Sequence, residues 1–516
     1  MNRGTRGMAA TRRFLADAGE PLLIGVAVVC TAVVLMRNPH GVVGVVLVGI
    51  GTAAATWVGT RRTTQLPTAM PWAAMMLLGV IAVALVPIGS HDMWAYASYG
   101  RLVEHYHANP YHAVVAQFPG DPVFRLVGGT WQHTPNAYGP LFTGVSAIVS
   151  RLAGTNLLLV RLGFQVPAAI AMFASVWIAA RTAKRRAVVV LVGLQPMVWI
   201  SVVNGAHADV YIALGAVVAV TLLARDQIIG AAIAIGLAAL VKVSALFAAP
   251  VIIAVLVARG RRREAFQFAS VVGGCMAISL LVAPSSLTSA ASATHGIISR
   301  ASPWRLFVLT HVVSSGTASV LGLVAAVAIV AEIARRSRDT DVAVAVALAL
   351  ATYAIVAGFT LPWYAVWSMP VAAMSSRRPV AALVALQGAA VLAAYQAGST
   401  VSGGLVTTIV PILTVAALLV LVVHRPGAAR LGLRRVDVDA TPGQLGSELV
   451  QRRQRRVGSR RVGRRNREHE RLDDDERDTV AREEARSSTP AAQAGVHALG
   501  GSASVVSDED HRRAEI

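Results

Sequence analysis

The chain has 516 residues, 55% of them hydrophobic, with a mean hydropathy of +0.58. A soluble domain holds about 45–50% apolar residues, so this chain carries more apolar surface than one core can hide, which excludes an ordinary soluble protein. The net charge of +20 would suit a nucleic-acid binder, but Lys and Arg collect in short turns between apolar runs and in the tail after Arg425. That is the pattern of cytoplasmic loops in membrane proteins, and it removes nucleic acid as a partner.

About a dozen apolar runs of roughly 15–22 residues lie along the sequence, near the ~20 that a bilayer-crossing helix needs. Lipid offers no hydrogen bonds, so these runs must be helices, and the expected fold is an all-α integral membrane bundle. The two cysteines, Cys30 and Cys275, both sit in apolar runs and give neither a disulfide framework nor a zinc site.

Residues 1–19 are basic and expected in the cytoplasm. No small-residue cleavage site follows the first apolar run, which is therefore a retained helix. Spans are expected over residues 22–36, 41–58 and 70–88. The longest polar stretch before the tail, residues 89–140, then falls outside and is the expected active face. Residues 141–152 are too few to cross unaided and should lie at the outer interface, because a full span there would carry Arg181, Lys184, Arg185 and Arg186 to the outside. Further spans are expected over residues 157–180, 187–203 and 210–223. The run 228–256 is broken by Lys242 into two short helices. Spans then follow at 266–282, 316–333, 342–360, a short return to Arg377, 380–397 and 405–423. The total is about fourteen crossings, with both termini and every dense basic cluster cytoplasmic. Three parts result: a cytoplasmic N-terminus (1–19), a transmembrane domain (20–424) and a charged tail (425–516) of low hydrophobicity, expected to be disordered, whose basic part suits anionic lipid.

Several polar residues sit where burial is costly. Asp92 stands where the third span meets the outer face, and a carboxylate there needs a reason. A general base that takes a proton from an attacking hydroxyl is one reason, since a drier site makes a carboxylate a better base. A cap on the next helix is the plain alternative. The outer stretch is dense in aromatics, His and Asn, among them Tyr96, Tyr99, Asn109, Tyr111, Trp131, His133, Asn136 and Tyr138. Rings at an interface are ordinary, but rings with Asn and His also suit sugar recognition. The turn Asn204-Gly205-Ala206-His207-Ala208-Asp209 breaks two apolar runs on the same side. His207 and Asp209 suit a phosphate-bearing donor, an acceptor hydroxyl or a divalent metal. Their spacing is too sparse to claim a metal site. Lys242 is an intramembrane cation whose natural partner is a lipid phosphate, with snorkelling to the interface the alternative. Arg300 and Arg305 in a second outer loop run against the positive-inside pattern and could serve the same phosphate.

Taken in order, Asp92-x-x-x-Tyr96-x-x-x-Gly100, Asn109-Pro110-Tyr111, residues 134–142 (TPNAYGPLF), residues 205–209 (GAHAD) and residues 362–367 (PWYAVW) resemble the polyprenol-phosphomannose-dependent mannosyltransferases of actinobacteria. These belong to the GT-C superfamily, and the resemblance is nearest to the α-(1→6)-mannosyltransferases of the lipomannan backbone. It covers about residues 68 to 400. It implies a GT-C bundle with a large outer catalytic loop, a polyprenyl-phosphate mannose donor, a glycolipid or mannan acceptor, and inversion at the anomeric carbon. Asp92 would be the base. Tyr96, Arg101, Tyr138, His207, Asp209, Lys242, Arg300, Trp363 and Tyr364 would bind substrate or donor, in the plasma membrane and facing outward. The family turn often carries Asn where this chain has Ala208. Another sugar or linkage, or a lipid or solute transporter, is the alternative, although no internal repeat supports a transporter.

Overall fold

The computed structural model describes residues 3–60, 67–337, 340–375, 377–396 and 401–423, all within one compact unit, Met1–Leu433. The expected tail lies outside the described residues. The apolar runs close as helices and no strand occurs among the described residues: α1 (Arg3–Arg37), α2 (Val42–Thr60), α3 (Ala69–Ala84), α4 (Asp92–Glu104), α5 (Gly129–Gln132), α6 (Pro140–Ala153), α7 (Leu157–Ala183), α8 (Ala187–Gly193), α9 (Asp209–Leu223), α10 (Ile228–Val241), α11 (Ala248–Ala258), α12 (Arg262–Val282), α13 (Ser286–Thr294), α14 (Arg305–Leu309), α15 (Ser315–Arg336), α16 (Val342–Val356), α17 (Met369–Met374), α18 (Arg378–Gln396) and α19 (Val401–Val423).

By length and composition six helices among the described residues can cross a bilayer (residues 19–37 of α1, then α2, α7, α12, α15 and α18), or seven if α8 and the π-helical turn Val198–Asn204 count as one span bent by 69°. The expected count was about fourteen. The difference comes from breaks and short helices. Pro196 lacks an N–H and interrupts the α8 run. Lys242 ends α10 in extended geometry (φ −153°, ψ 122°) before a 3-10 turn, Val243–Phe247, and α11. The return after α16 is a 3-10 turn, Pro362–Trp367, joined to the six-residue α17. Such breaks are tolerated in a membrane where they are buried in protein, and residues 362–374 are all buried. Elsewhere large apolar side chains face outward, Leu281 at 82% and Phe266 at 74% exposure. A water-soluble surface would not leave so many bare, whereas acyl chains cover them.

The stretch 89–140 is not an open loop. Its first third is α4, buried from Met93 to Leu102 except for the half-buried Trp94, and the rest folds back as short turns around a second apolar cluster that includes Tyr96, Tyr99, Val123, Val127 and Phe142. α6 is short, as expected, and lies against α4. A Cβ on Gly100 would collide with the backbone carbonyl of Ser146, so the glycine in the Asp-x-x-x-Tyr-x-x-x-Gly pattern is what lets α4 and α6 touch. The end of α3 is held by buried amides, which satisfy carbonyls a helix C-terminus leaves orphaned. Asn204 Nδ2 donates to the carbonyls of Ala82 (3.0 Å) and Val86 (3.0 Å), its Oδ1 accepts from Ile88 N–H (2.8 Å), and Gln165 Nε2 donates to the Asn204 carbonyl (2.7 Å). These bonds fix where the chain leaves α3, and so where Asp92 begins α4.

Candidate active site

A cavity with about 620 Å³ of non-atom space, part of it open to solvent, lies between the start of α4, the Lys242 break, α13 and the residues after α16. Asp92, Tyr96, Tyr99, Trp131 and Tyr138 line it from the outer stretch, Lys242 and Ser244 from the break, and Tyr353, Phe359 and Tyr364 from the C-terminal part. Asp92 is its one lining carboxylate among the described residues.

Asp92 is the first residue of α4, and the positive end of a helix favours an anion there. Its backbone N–H donates to Ser90 Oγ at 3.1 Å, and its carboxylate lies 3.5 Å from His207 Nε2, with 12% of its side chain exposed. His207 is fully buried. Its Nδ1 stands 2.5 Å from the Ser201 carbonyl, which can only accept, so Nδ1 carries the proton and Nε2 faces Ser90 Oγ (3.2 Å) and Asp92. Trp363 stacks on the imidazole, with centroids 3.5 Å apart and planes 19° apart. A Cβ on Gly205 would press into this ring at 2.6 Å, which accounts for the glycine in the 204–209 turn.

Lys242 is not a bare cation. Its Nζ donates to Asp209 Oδ1 at 2.9 Å, with the lysine side chain 15% exposed and the aspartate fully buried. Trp367 Nε1 donates to the same oxygen at 2.6 Å. The ammonium also sits 4.2 Å from the Tyr364 ring centre, 5.3 Å from Trp367 and 5.5 Å from Tyr138, within cation–π range. The aromatic cage and the carboxylate pin the lysine at the cavity wall and leave two ammonium protons for a ligand. Tyr138 is bracketed in turn. Tyr96 and Tyr138 share a hydrogen bond of 2.9 Å, and Gly139 N–H donates to the Val241 carbonyl at 2.9 Å. A Cβ on Gly139 would collide with the Leu240 carbonyl, so the Tyr-Gly-Pro sequence is what docks the outer stretch onto the Lys242 break. Burial, then the Asp92 and Asp209 charges, hold the Tyr96 phenol well above its usual range. Burial, then Tyr96, Asp92 and Asp209, do the same for Tyr138. Both stay neutral, as hydrogen-bonding groups rather than bases.

The cavity thus holds one carboxylate, a cation at the break and a ring-lined space between them. Residues 18–259 match the model of the MptA_B family, described as alpha-(1->6)-mannopyranosyltransferase, N-terminal domain. Over those residues the chain is similar to a mannosyltransferase family. It is a glycosyltransferase. No curated protein and no solved structure matches it. The match ends before α12, so this glycosyltransferase completes its cavity with Tyr353, Phe359, Leu361 and Tyr364, from beyond the matched residues.

Of the residues singled out from sequence, Asp92, Tyr96, Tyr138, Lys242 and Tyr364 line the cavity, and His207, Asp209 and Trp363 pack directly behind them. Two do not join. Arg101 is buried away from the cavity, its Nε 2.5 Å from Asp121 Oδ2 and its Nη1 donating to the Gly154 carbonyl at 2.9 Å. It is a strut for the outer stretch. Arg300 is exposed and outside the cavity lining. Trp367, Ser90, Ser201, Ser244 and Tyr353 were not singled out. Trp367 stood within the quoted 362–367 motif, while the others carried no local signal. Ala208 is fully buried. No three His, Cys, Asp or Glu side chains come together in a metal-holding group among the described residues.

Proposed function

We propose that this glycosyltransferase moves mannose from a polyprenyl-phosphate donor to a lipid-anchored mannan acceptor, with inversion at the anomeric carbon, on the outer face of the plasma membrane. The observation that carries this reading is a single ring-lined cavity walled by one carboxylate, Asp92, and by one caged cation, Lys242. Asp92 takes the proton of the acceptor hydroxyl as its oxygen bonds to the anomeric carbon. The bond from that carbon to the phosphate oxygen breaks, and the lipid phosphate leaves with the electron pair. Lys242, fixed by Asp209 and by the Tyr138, Tyr364 and Trp367 rings, stabilises the charge that develops on it. His207, held by Ser201 and Trp363, accepts from Ser90, whose Oγ takes the Asp92 backbone N–H, and so helps to place the start of α4. Tyr96, Tyr138 and Tyr364 shape the sugar space. Arg101 acts only through the fold, and Arg300 takes no part in the donor site.

The same reading takes the transmembrane part as residues 20–424 in a GT-C arrangement. The short apolar helices and broken segments serve as crossings alongside the long ones, to about fourteen, and both termini face the cytoplasm. A donor with its sugar on the outer leaflet then meets its base on that side.

The test offers purified protein in lipid an α-(1→6)-linked mannobioside with either polyprenyl-phosphate mannose or a nucleotide-diphosphate mannose. The expected result is extension of the acceptor from the lipid donor alone, with an α linkage in the product. Extension from the nucleotide donor with no lipid carrier present would overturn the reading.

A further inference from the structure

The buried hydroxyls of this chain mostly satisfy themselves. Thr31, Ser98, Ser175, Ser337 and Thr352 each donate to a carbonyl three or four residues back in their own helix, at 2.6–2.7 Å. Ser244 does not. It is 7% exposed and its Oγ has no hydrogen-bond partner. The carbonyl three residues back, that of Val241, is occupied by Gly139 N–H at 2.9 Å, and the carbonyl of Leu240 abuts Gly139. The extended Lys242 also turns the chain between these carbonyls and Ser244. Three other buried hydroxyls, on Thr52, Ser146 and Thr360, share this condition among the described residues, but Ser244 alone of the four lines the cavity. An unsatisfied buried polar group costs free energy, and persists where a ligand completes it.

The geometry points to Ser244 as a second anchor for the phosphate of the lipid donor, beside Lys242. The inference rests on the function proposed above. Lys242 can only donate, and its unused protons and the serine hydroxyl lie two residues apart on one break, both in the cavity wall. A phosphate oxygen only accepts, and a phosphate can take one proton from the ammonium and one from the serine hydroxyl. Asp209 already holds one proton of the ammonium and neutralises part of its charge, so the lysine alone grips a phosphate weakly and a neighbouring hydroxyl adds directional hold.

The test measures binding of polyprenyl phosphate, and of the polyprenol of the same length, to the full chain in detergent, together with donor and acceptor KM. Ser244→Ala is expected to weaken polyprenyl phosphate and raise donor KM by about tenfold or more, the size of a hydrogen bond to a charged group. Polyprenol binding and acceptor KM should stay as in the wild type, and Ser244→Thr, which keeps the hydroxyl, should recover most of the loss. Wild-type binding of polyprenyl phosphate that Ser244→Ala leaves unchanged overturns the role of Ser244 and leaves the proposed donor standing. A shift in acceptor KM instead assigns the hydroxyl to the other substrate and overturns it too. Failure of the wild type to prefer polyprenyl phosphate over polyprenol removes the donor reading and this inference with it.

Discussion

Replacing Lys242 by Met separates the two tasks given to the lysine. The pair it forms with Asp209 is buried, with an Nζ to Oδ1 distance of 2.9 Å and side-chain exposures of 15% and 0%. The second oxygen of Asp209 has no partner. Lys242→Met leaves that carboxylate enclosed with only the Trp367 N–H, and removing one member of a buried pair costs about 3–5 kcal/mol. Adding Asp209→Asn removes the uncompensated charge and keeps an amide oxygen for Trp367, so the double variant should regain most of that loss, because a neutral replacement of a buried pair is often tolerated. Reversible unfolding in SDS–detergent mixtures reads the stability, and mannose transfer reads the chemistry. The expected outcome is an unstable single variant, a double variant close to wild-type stability, and no useful transfer by either. A single variant that loses under about 1 kcal/mol would mean that the pair is not a buried one. A stable double variant that transfers at the wild-type rate would mean that the leaving phosphate does not use the cation.

Gly139→Ala drives a Cβ into the Leu240 backbone and should cost about 1–3 kcal/mol while lowering transfer, because the clash moves the Lys242 break. Gly100→Ala, which meets the Ser146 backbone, should destabilise comparably by parting α4 from α6, as read by the same unfolding assay. Trp367→Phe keeps a ring near Lys242 but withdraws the 2.6 Å bond to Asp209. It should reduce transfer more than it reduces donor binding, which separate kcat and KM values will show. The phenols of Tyr96, Tyr99 and Tyr138 are raised above the ordinary value of 10.0, burial being the largest cause for each. Their contribution to stability is thus complete below pH 10 and is lost as pH rises through the folded-state values, because the unfolded chain ionises first. Unfolding measured from pH 8 to 11 should show that fall, and a Tyr96→Phe variant should show less of it.

Much of this layout was legible in the sequence because it is local. A charged residue inside an apolar run had to break it, and Lys242 does. A run as short as 141–152 had to give a short helix, and α6 is one, packed against α4. Asp92 opens α4 where the polar stretch begins, as its position beside an apolar span suggested. What the pattern hid was pairing over distance. Arg101 read as a substrate ligand because the sequence does not show that Asp121 folds back beneath it at 2.5 Å. Lys242 read as a cation without a protein partner because Asp209, 33 residues from it, and Trp367, 158 residues from Asp209, come together only in three dimensions. The polar stretch looked like a loop because its many His, Asn and Tyr residues lower its hydropathy, although half-polar rings such as Tyr96 and Tyr99 bury well once their hydroxyls or edges are satisfied. The break at Pro196 was hidden, since the run around it keeps its apolar composition.

The central claim is that Asp92 is the base of a mannosyl transfer from a lipid phosphate. The most direct measurement is transfer of radiolabelled mannose from polyprenyl-phosphate mannose to an α-(1→6)-mannoside in membranes holding equal amounts of wild type or Asp92→Asn. The account predicts transfer by the wild type and a fall of about 10²–10⁴-fold in the variant, the size of a lost general base, with the variant still inserted and folded. Near-normal turnover by Asp92→Asn would contradict it.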